Sequence, residues 1–276
     1  MRVRRPVPPA RFRTSQRSLD FRRADPRVNK PPLHPLRLSV FFPCHNEEAN
    51  VERTTAAALK ACRRLADEFE VIIVNDGSKD RTAELADGLA ARHPEVRVVH
   101  HPRNLGYGSA LQSGYRAARK DWVFYTDGDG QFDFEEIERM LPLLQSHDIA
   151  SGYRLNRQDN WQRRLNGWLW THLTNVVLGF TVKDVDCAFK LFPRQLFDQI
   201  EMHSTGALID AEVLARATRL GYRIGQTGVH HYPRQVGEQS GGNLRVVARA
   251  FVELFRLRRR IRQTSPPRAI GSAVES

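Results

Sequence analysis

Residues 122–131 read Trp-Val-Phe-Tyr-Thr-Asp-Gly-Asp-Gly-Gln, a short apolar run that passes without a break into an acidic, glycine-rich turn. The run is too short and too rich in aromatic and β-branched residues for a helix, so it reads as a buried strand with polar side chains at its tip. The same texture occurs three times upstream, at Leu38 to Phe42, Val71 to Val74 and Val96 to Val99. Segments with helical spacing lie between the runs, near 50–67, 80–92 and 108–119. Alternation of this kind predicts an α/β fold with a mostly parallel, Rossmann-like sheet flanked by helices. In such sheets ligands collect beyond the carboxyl ends of the strands, so chemistry is expected in the residues that follow each run.

Beyond residue 150 the pattern loosens into a less regular C-terminal part. Trp161 to Gly179 predicts a helix, Phe189 to Phe192 a strand, Ala207 to Leu220 a helix, Tyr222 to Val229 a strand and Leu244 to Arg262 a terminal helix. Residues 1–36 mix arginines with seven prolines and cannot bury enough apolar surface to offset the entropy of ordering, so a disordered basic arm is expected there. The predicted organisation is this arm, a main domain over 37–243, an amphipathic basic helix over 244–263 and a flexible tail over 264–276.

The chain of 276 residues has a formal net charge of +12, and its position matters more than its size. Residues 1–37 hold eleven Lys/Arg and two acids, and residues 244–262 hold seven arginines and Glu253, which leaves 38–243 with 24 basic and 27 acidic residues. A domain that binds nucleic acid carries its positive charge on the folded face that meets phosphates, so no nucleic-acid partner is expected. Basic flanks of this kind suit an anionic lipid surface instead. The three cysteines, Cys44, Cys62 and Cys187, form neither a disulfide framework nor a zinc pattern, which implies a reducing, cytoplasmic setting. No run of about 18 apolar residues is present to span a bilayer, so membrane contact is expected to be peripheral, on the inner face.

Each strand tip offers distinct chemistry. The first run ends in Pro43, Cys44, His45, Asn46, Glu47 and Glu48, where proline stops the sheet and Asn46 or Asn50 can cap a helix. The second ends in Asn75, Asp76, Gly77 and Ser78, a strong turn sequence whose Asp76 carboxylate can accept hydrogen bonds from a base or ribose. At the fourth, Asp127 and Asp129 can both turn toward one hard divalent cation, and Gln131 offers a third oxygen. Mg²⁺ or Mn²⁺ held in this way keeps positions open for a diphosphate. A calcium loop is disfavoured because that motif is flanked by helices, whereas this segment follows an apolar strand. The histidine pairs 100/101 and 230/231 are assigned no metal, since neighbours on a strand point to opposite faces.

Taken in order, Pro43 with Asn46 and Glu47, the Asn-Asp-Gly-Ser turn, Arg103 to Gly108 and Asp127-Gly-Asp129-Gly-Gln131 resemble the family 2 glycosyltransferases of GT-A fold, above all the dolichyl- or polyprenyl-phosphate branch. The likeness runs on through Ser151 to Arg154, Asp184 to Lys190, Glu212 and His231 to Gly242. It implies an inverting hexosyltransferase that uses a UDP- or GDP-linked sugar donor, with Pro43, His45, Glu47 and Asp76 on the nucleoside. Arg103 and Arg154 would lie near phosphates, and Asp127, Asp129 and Gln131 would hold the metal and diphosphate. Arg234 and Ser240 would meet a lipid-phosphate acceptor, a guanidinium fork and a hydroxyl being suitable partners. Here Gly241 stands where the branch usually has lysine, His45 where tyrosine is common and Asn75 where an acid is common. A hydroxyl acceptor, such as a glycan, would need a general base, for which Asp184 and Asp186 are the candidates and Asp184 the preferred one. The competing readings are a non-catalytic basic protein and a nucleotidyltransferase. The latter class is disfavoured because no Gly-rich, basic loop follows the first strand.

Overall fold

The computed structural model describes residues 30–155, 161–233 and 244–263. Seven strands form one sheet: β1 (Arg37–Cys44), β2 (Glu68–Asn75), β3 (Val96–His100), β4 (Trp122–Thr126), β5 (Ile149–Leu155), β6 (Phe189–Pro193) and β7 (Ile224–His230). Their order across the sheet is β3-β2-β1-β4-β6-β5-β7. Strands β1 to β4 run parallel to one another, β5 and β7 are parallel, and β6 is antiparallel to both its neighbours. The helices are α1 (Val51–Leu65), α2 (Thr82–Arg92), α3 (Tyr107–Ala117), α4 (Trp161–Leu178), the short α5 (Leu196–Gln199), α6 (Ile209–Arg219) and α7 (Leu244–Gln263).

The central strands read as unbroken apolar runs because helices cover both sheet faces. Val40, Phe41 and Phe42 of β1 and Val71 to Val74 of β2 are fully buried. On one face Tyr115 of α3 stacks on Phe197 at 4.0 Å between ring centroids and meets Phe41 edge-on at 4.9 Å. Gly114 lets α3 come this close, since a Cβ there would lie 2.2 Å from the Phe41 ring.

Two features differ from the sequence-based expectation. Strand β5 was not predicted, because Ser151 and Gly152 interrupt its apolar character. Both are buried, and Gly152 packs so tightly that a Cβ would stand 3.0 Å from the Phe189 carbonyl. The segment between β4 and β5 forms two 3-10 helices, Phe134–Arg139 and Leu141–Gln145, likewise unpredicted.

Residues 30–36, assigned to the disordered arm from composition, make defined contacts. Lys30 donates to the carbonyls of Leu144 and His147, Trp122 Nε1 donates to the Pro32 carbonyl at 3.0 Å, and the Leu36 amide donates to Asp67 at 2.6 Å. Leu36 is buried, so residues 30–36 gain the apolar contact that composition alone denied them. Residues 1–29 and 264–276 lie outside the described residues.

Candidate active site

The register of the sheet gathers the predicted residues along one edge. Phe41 lies opposite Tyr125, so Pro43 stands level with Asp127, and Cys44 lies opposite Asn75 at the end of β2. The loop after β4 then folds over the end of β1. A Cβ on Gly128 would come within 2.5 Å of the Pro43 carbonyl oxygen and 2.8 Å of Cys44 Sγ, so only glycine fits. Gly130 has φ +72° and packs against Arg53, whose Nη2 donates to Asn50 Oδ1 at 2.9 Å. Asn50 in turn donates to Glu47 Oε2 at 2.7 Å, and Thr54 Oγ1 donates to the Gly128 carbonyl at 3.1 Å. One face of α1 thus braces the acidic loop, and Glu47 stands at the far end of that brace.

Asp127 is half-buried and accepts a hydrogen bond from the Tyr107 hydroxyl at 3.0 Å. Burial, followed by the charge of Asp129, pushes its carboxyl up to about 7, against the opposing hydrogen bond from Tyr107 and the Lys190 charge. Two carboxylates that resist ionising together are stabilised by a cation between them. Among the described residues no group of three or more His, Cys, Asp or Glu side chains converges on a metal position. Two carboxylates beside an amide oxygen are hard donors of the kind that suits Mg²⁺ or Mn²⁺, with the remaining positions left to other oxygens. Gln131 commits its side-chain nitrogen to the Tyr232 carbonyl at 2.7 Å, while its backbone carbonyl accepts from the Tyr232 amide at 2.8 Å. This latches the end of β7 to the acidic loop.

Asp76 is 4% exposed and organises the neighbouring loop. Its Oδ1 accepts from the Leu105 amide at 2.8 Å and lies 2.7 Å from His101 Nδ1, and its Oδ2 accepts from the Gly106 amide at 3.0 Å. His101 Nε2 lies 2.8 Å from Ser113 Oγ, and His45 Nδ1 lies 2.9 Å from the Asp76 carbonyl oxygen. Gly77 has φ +63°, and a Cβ there would lie 2.1 Å from the Arg103 carbonyl carbon, so the two loops run in backbone contact. Gly106 begins α3, which delivers Tyr107 to Asp127. Arg103 itself is exposed.

On the other side of β4, Arg154 grips Asp184 with a two-pronged ion pair, Nε to Oδ2 at 2.7 Å and Nη2 to Oδ1 at 2.9 Å. Burial works against the Arg154 charge, but these bonds and the charge of Asp184 outweigh it and raise the pKa of the guanidinium. Both groups are therefore occupied with each other. Asp186 is exposed, and its carboxyl is pushed up to about 6 by the protein packed around it, then by the charges of Asp184 and Asp210. Arg234 and Ser240 lie outside the described residues.

The histidines serve four different roles. His100 pairs with Asn75 and Asp87, His101 with Asp76, His230 with Glu136 at 2.6 Å, and His231 packs its ring on Phe132 at 4.9 Å. Tyr107, Arg53 and His101 are the site residues that sequence reasoning missed. Tyr107 and Arg53 carried a faint signal, one lying within the Arg103–Gly108 motif and the other three residues after Asn50, on the same helix face.

A parallel sheet with a crowded acidic pair at the tip of its fourth strand, beside a polar cradle at the tips of the first two, defines a GT-A type transferase. The chain belongs to glycosyl transferase family 2, whose sequence profile matches residues 39–201. It is 31% identical over 209 residues to the glycosyltransferase AglD of Haloferax volcanii, a match covering 72% of this chain and 34% of that protein. The chain thus spans about a third of that relative's length. Glucosyl-3-phosphoglycerate synthase from Mycobacterium tuberculosis, solved with Mn²⁺ and UDP-glucose, superposes with a TM-score of 0.61 at 18% identity, over 84% of this chain and 80% of the other. Its complex with UDP gives a TM-score of 0.60 at 19% identity, over 84% and 81%. These structures share the fold.

Proposed function

We propose that this chain transfers a sugar, with inversion, from a UDP- or GDP-linked donor to a polyprenyl-phosphate-type or other membrane-associated acceptor. The observation that carries the proposal is the Asp127–Asp129 pair, which follows β4 at the level where β1 and β2 end and whose charges oppose each other. Asp127 and Asp129 hold the divalent ion, with Gln131 Oε1 as a further oxygen. A bound Mg²⁺ or Mn²⁺ supplies Lewis-acid neutralisation of the charge that grows on the departing diphosphate. Tyr107 fixes the orientation of Asp127. Asp76 receives an N–H of the base or a ribose hydroxyl on Oδ2, which accepts one described hydrogen bond and as a carboxylate oxygen can accept a second. Pro43, His45 and Glu47 contact the nucleoside beside Asp76, and Arg103 supplies positive charge toward the phosphates. The Mn²⁺ and UDP-glucose complex of the similar synthase supports these donor and ion classes.

A lipid phosphate is already anionic near neutral pH and needs no base, whereas a hydroxyl acceptor does. For that case Asp186 is the better candidate than Asp184, because Asp184 is held by Arg154 while Asp186 is exposed. The test is transfer from UDP- and GDP-sugars to polyprenyl phosphate and to soluble glycans, with the product anomer read by NMR. Inverted glycosyl lipid supports the proposal; a retained configuration or transfer only to soluble acceptors overturns it.

The acceptor class draws support from the surface. The outer face of α4 exposes Trp161, Leu165, Trp168, Leu169 and Val176, which stand at i, i+4, i+7, i+8 and i+15 and so form one stripe. Leu254, Leu257 and Ile261 bury α7 against the body, and Phe251 meets Trp170 of α4 at 5.9 Å. Val252 and Phe255 stay exposed, with Arg256, Arg259 and Arg262 following at helical spacing. No helix among the described residues is long and apolar enough to cross a membrane. Apolar side chains flanked by arginines complement an anionic leaflet, at the inner face of the cell membrane in this proposal. Trp168→Glu with Phe255→Glu is expected to abolish sedimentation with phosphatidylglycerol vesicles while leaving the fold intact, and unchanged sedimentation would remove the lipid contact.

A further inference from the structure

Lys190 lies in the middle of β6 with none of its side chain exposed. It stands in register with Tyr125 of β4 on one side and Ser151 of β5 on the other. Its ammonium donates to Asp210 Oδ1 at 2.7 Å, to the Cys187 carbonyl at 2.6 Å, and to the Val185 carbonyl and Tyr125 hydroxyl at 3.1 Å each. The Tyr125 hydroxyl in turn donates to Asp210 Oδ1, and Asp210 is 4% exposed in the first turn of α6.

An ammonium taken out of water persists only where a carboxylate and several oxygens replace its hydration. Asp210 accounts for the charge, and the two carbonyls call for a further reason. They belong to the residues on either side of Asp186, and both point inward onto one nitrogen. The side chain between them is left outside, where Asp186 is exposed. Tyr125, the fourth partner, precedes Asp127 by two residues on the strand that carries the acidic loop.

We infer that Lys190 and Asp210 form a buried positioning pair that pins the 184–187 turn to β4, fixing where Asp186 stands relative to Asp127. This rests on the glycosyltransferase reading above, in which Asp186 serves the acceptor side. The pair also sets the charge environment of Asp186. Asp184 and Asp210 push its carboxyl up, while Arg154 and Lys190 pull it down. The two members of the pair therefore act with opposite sign, which no purely space-filling role would produce.

The experiment follows the carboxyl ¹³C titration of Asp186 in the full chain without cation or nucleotide, its resonance identified by loss in Asp186→Asn. Lys190→Met is expected to move the midpoint up and Asp210→Asn to move it down, each by about half a unit or more. Midpoints that stay put, or move in the same direction, overturn the inference. Either single variant leaves a buried charge unpaired and can fail to fold, so the Lys190→Met/Asp210→Asn double variant provides the second arm. With both charges removed, positioning requires amide hydrogen exchange over 184–188 to accelerate about tenfold or more, equivalent to about 1.4 kcal/mol or more. Unchanged exchange in a folded double variant overturns it. Both readouts are independent of catalysis, so an absence of sugar transfer together with opposite shifts would fail the function and leave the pinning intact.

Discussion

Asp127→Asn is expected to slow sugar transfer by about 10²- to 10³-fold or more and, at the same time, to raise the melting temperature of the cation-free protein at pH 8. The loss follows from removing half of the charge that grips the ion. The gain follows from the proton balance. In the unfolded chain the carboxyl titrates near about 3.9, whereas in the folded protein burial and Asp129 push it up to about 7. Between these values the folded state holds a proton that the unfolded state has released, so stability falls as pH rises from about 4 through about 7 and stays lowered above it. Asparagine removes that penalty and can still accept from Tyr107 at Oδ1. Differential scanning fluorimetry in EDTA at pH 5 and pH 8 reads the effect: the variant should exceed the parent clearly at pH 8 and much less at pH 5. Equal melting curves at both values would mean that the acidic pair is not electrostatically crowded.

Asp76→Ala is expected to destabilise the fold by about 2 kcal/mol and to weaken nucleotide binding by about 100-fold or more. The carboxylate accepts from the Leu105 amide, shares the Gly106 amide with Asn104 Oδ1 and lies against His101 Nδ1, so its removal leaves the Leu105 amide and the imidazole without that partner, at about 1 kcal/mol or more each. Those amides set the path of residues 101–106 into α3, and α3 brings Tyr107 to Asp127. The loss therefore spreads from the nucleoside side to the cation side. Asp76→Asn should recover little, because its one oxygen cannot serve both edges of the carboxylate. Urea denaturation and UDP titration with Mn²⁺ measure the two effects, and a variant with parental stability would contradict the role given to Asp76.

The strands that carry the donor side were legible because they are buried on both faces. Val40 to Phe42 and Val71 to Val74 have no reason to alternate, and their polar ends mark where the sheet stops. Strand β5 was hidden for the opposite reason. Its buried Ser151 and Gly152 are chosen for close packing, a tertiary requirement that leaves no periodic trace. The acidic pair could be read from its spacing, but the roles of Asp184 and Asp186 could not. What separates them is the fork of Arg154, thirty residues away in the chain. The role of Lys190 left no trace in the sequence, since its partner Asp210 lies on a different element. The helix at 244–263 was visible in the arginine and leucine pattern, while the identity of its inward face depended on what α4 and α6 offered it.

The central claim is that Asp127 and Asp129 hold a divalent ion that secures a nucleoside diphosphate. Thermal unfolding with UDP or GDP, with and without Mn²⁺, tests it directly, since a ligand bound only to the folded state raises the midpoint. One of the nucleotides should raise the midpoint by several degrees with Mn²⁺ and scarcely without it, and Asp129→Asn should erase the shift. No shift with either nucleotide, or an equal shift in Asp129→Asn, would contradict the account.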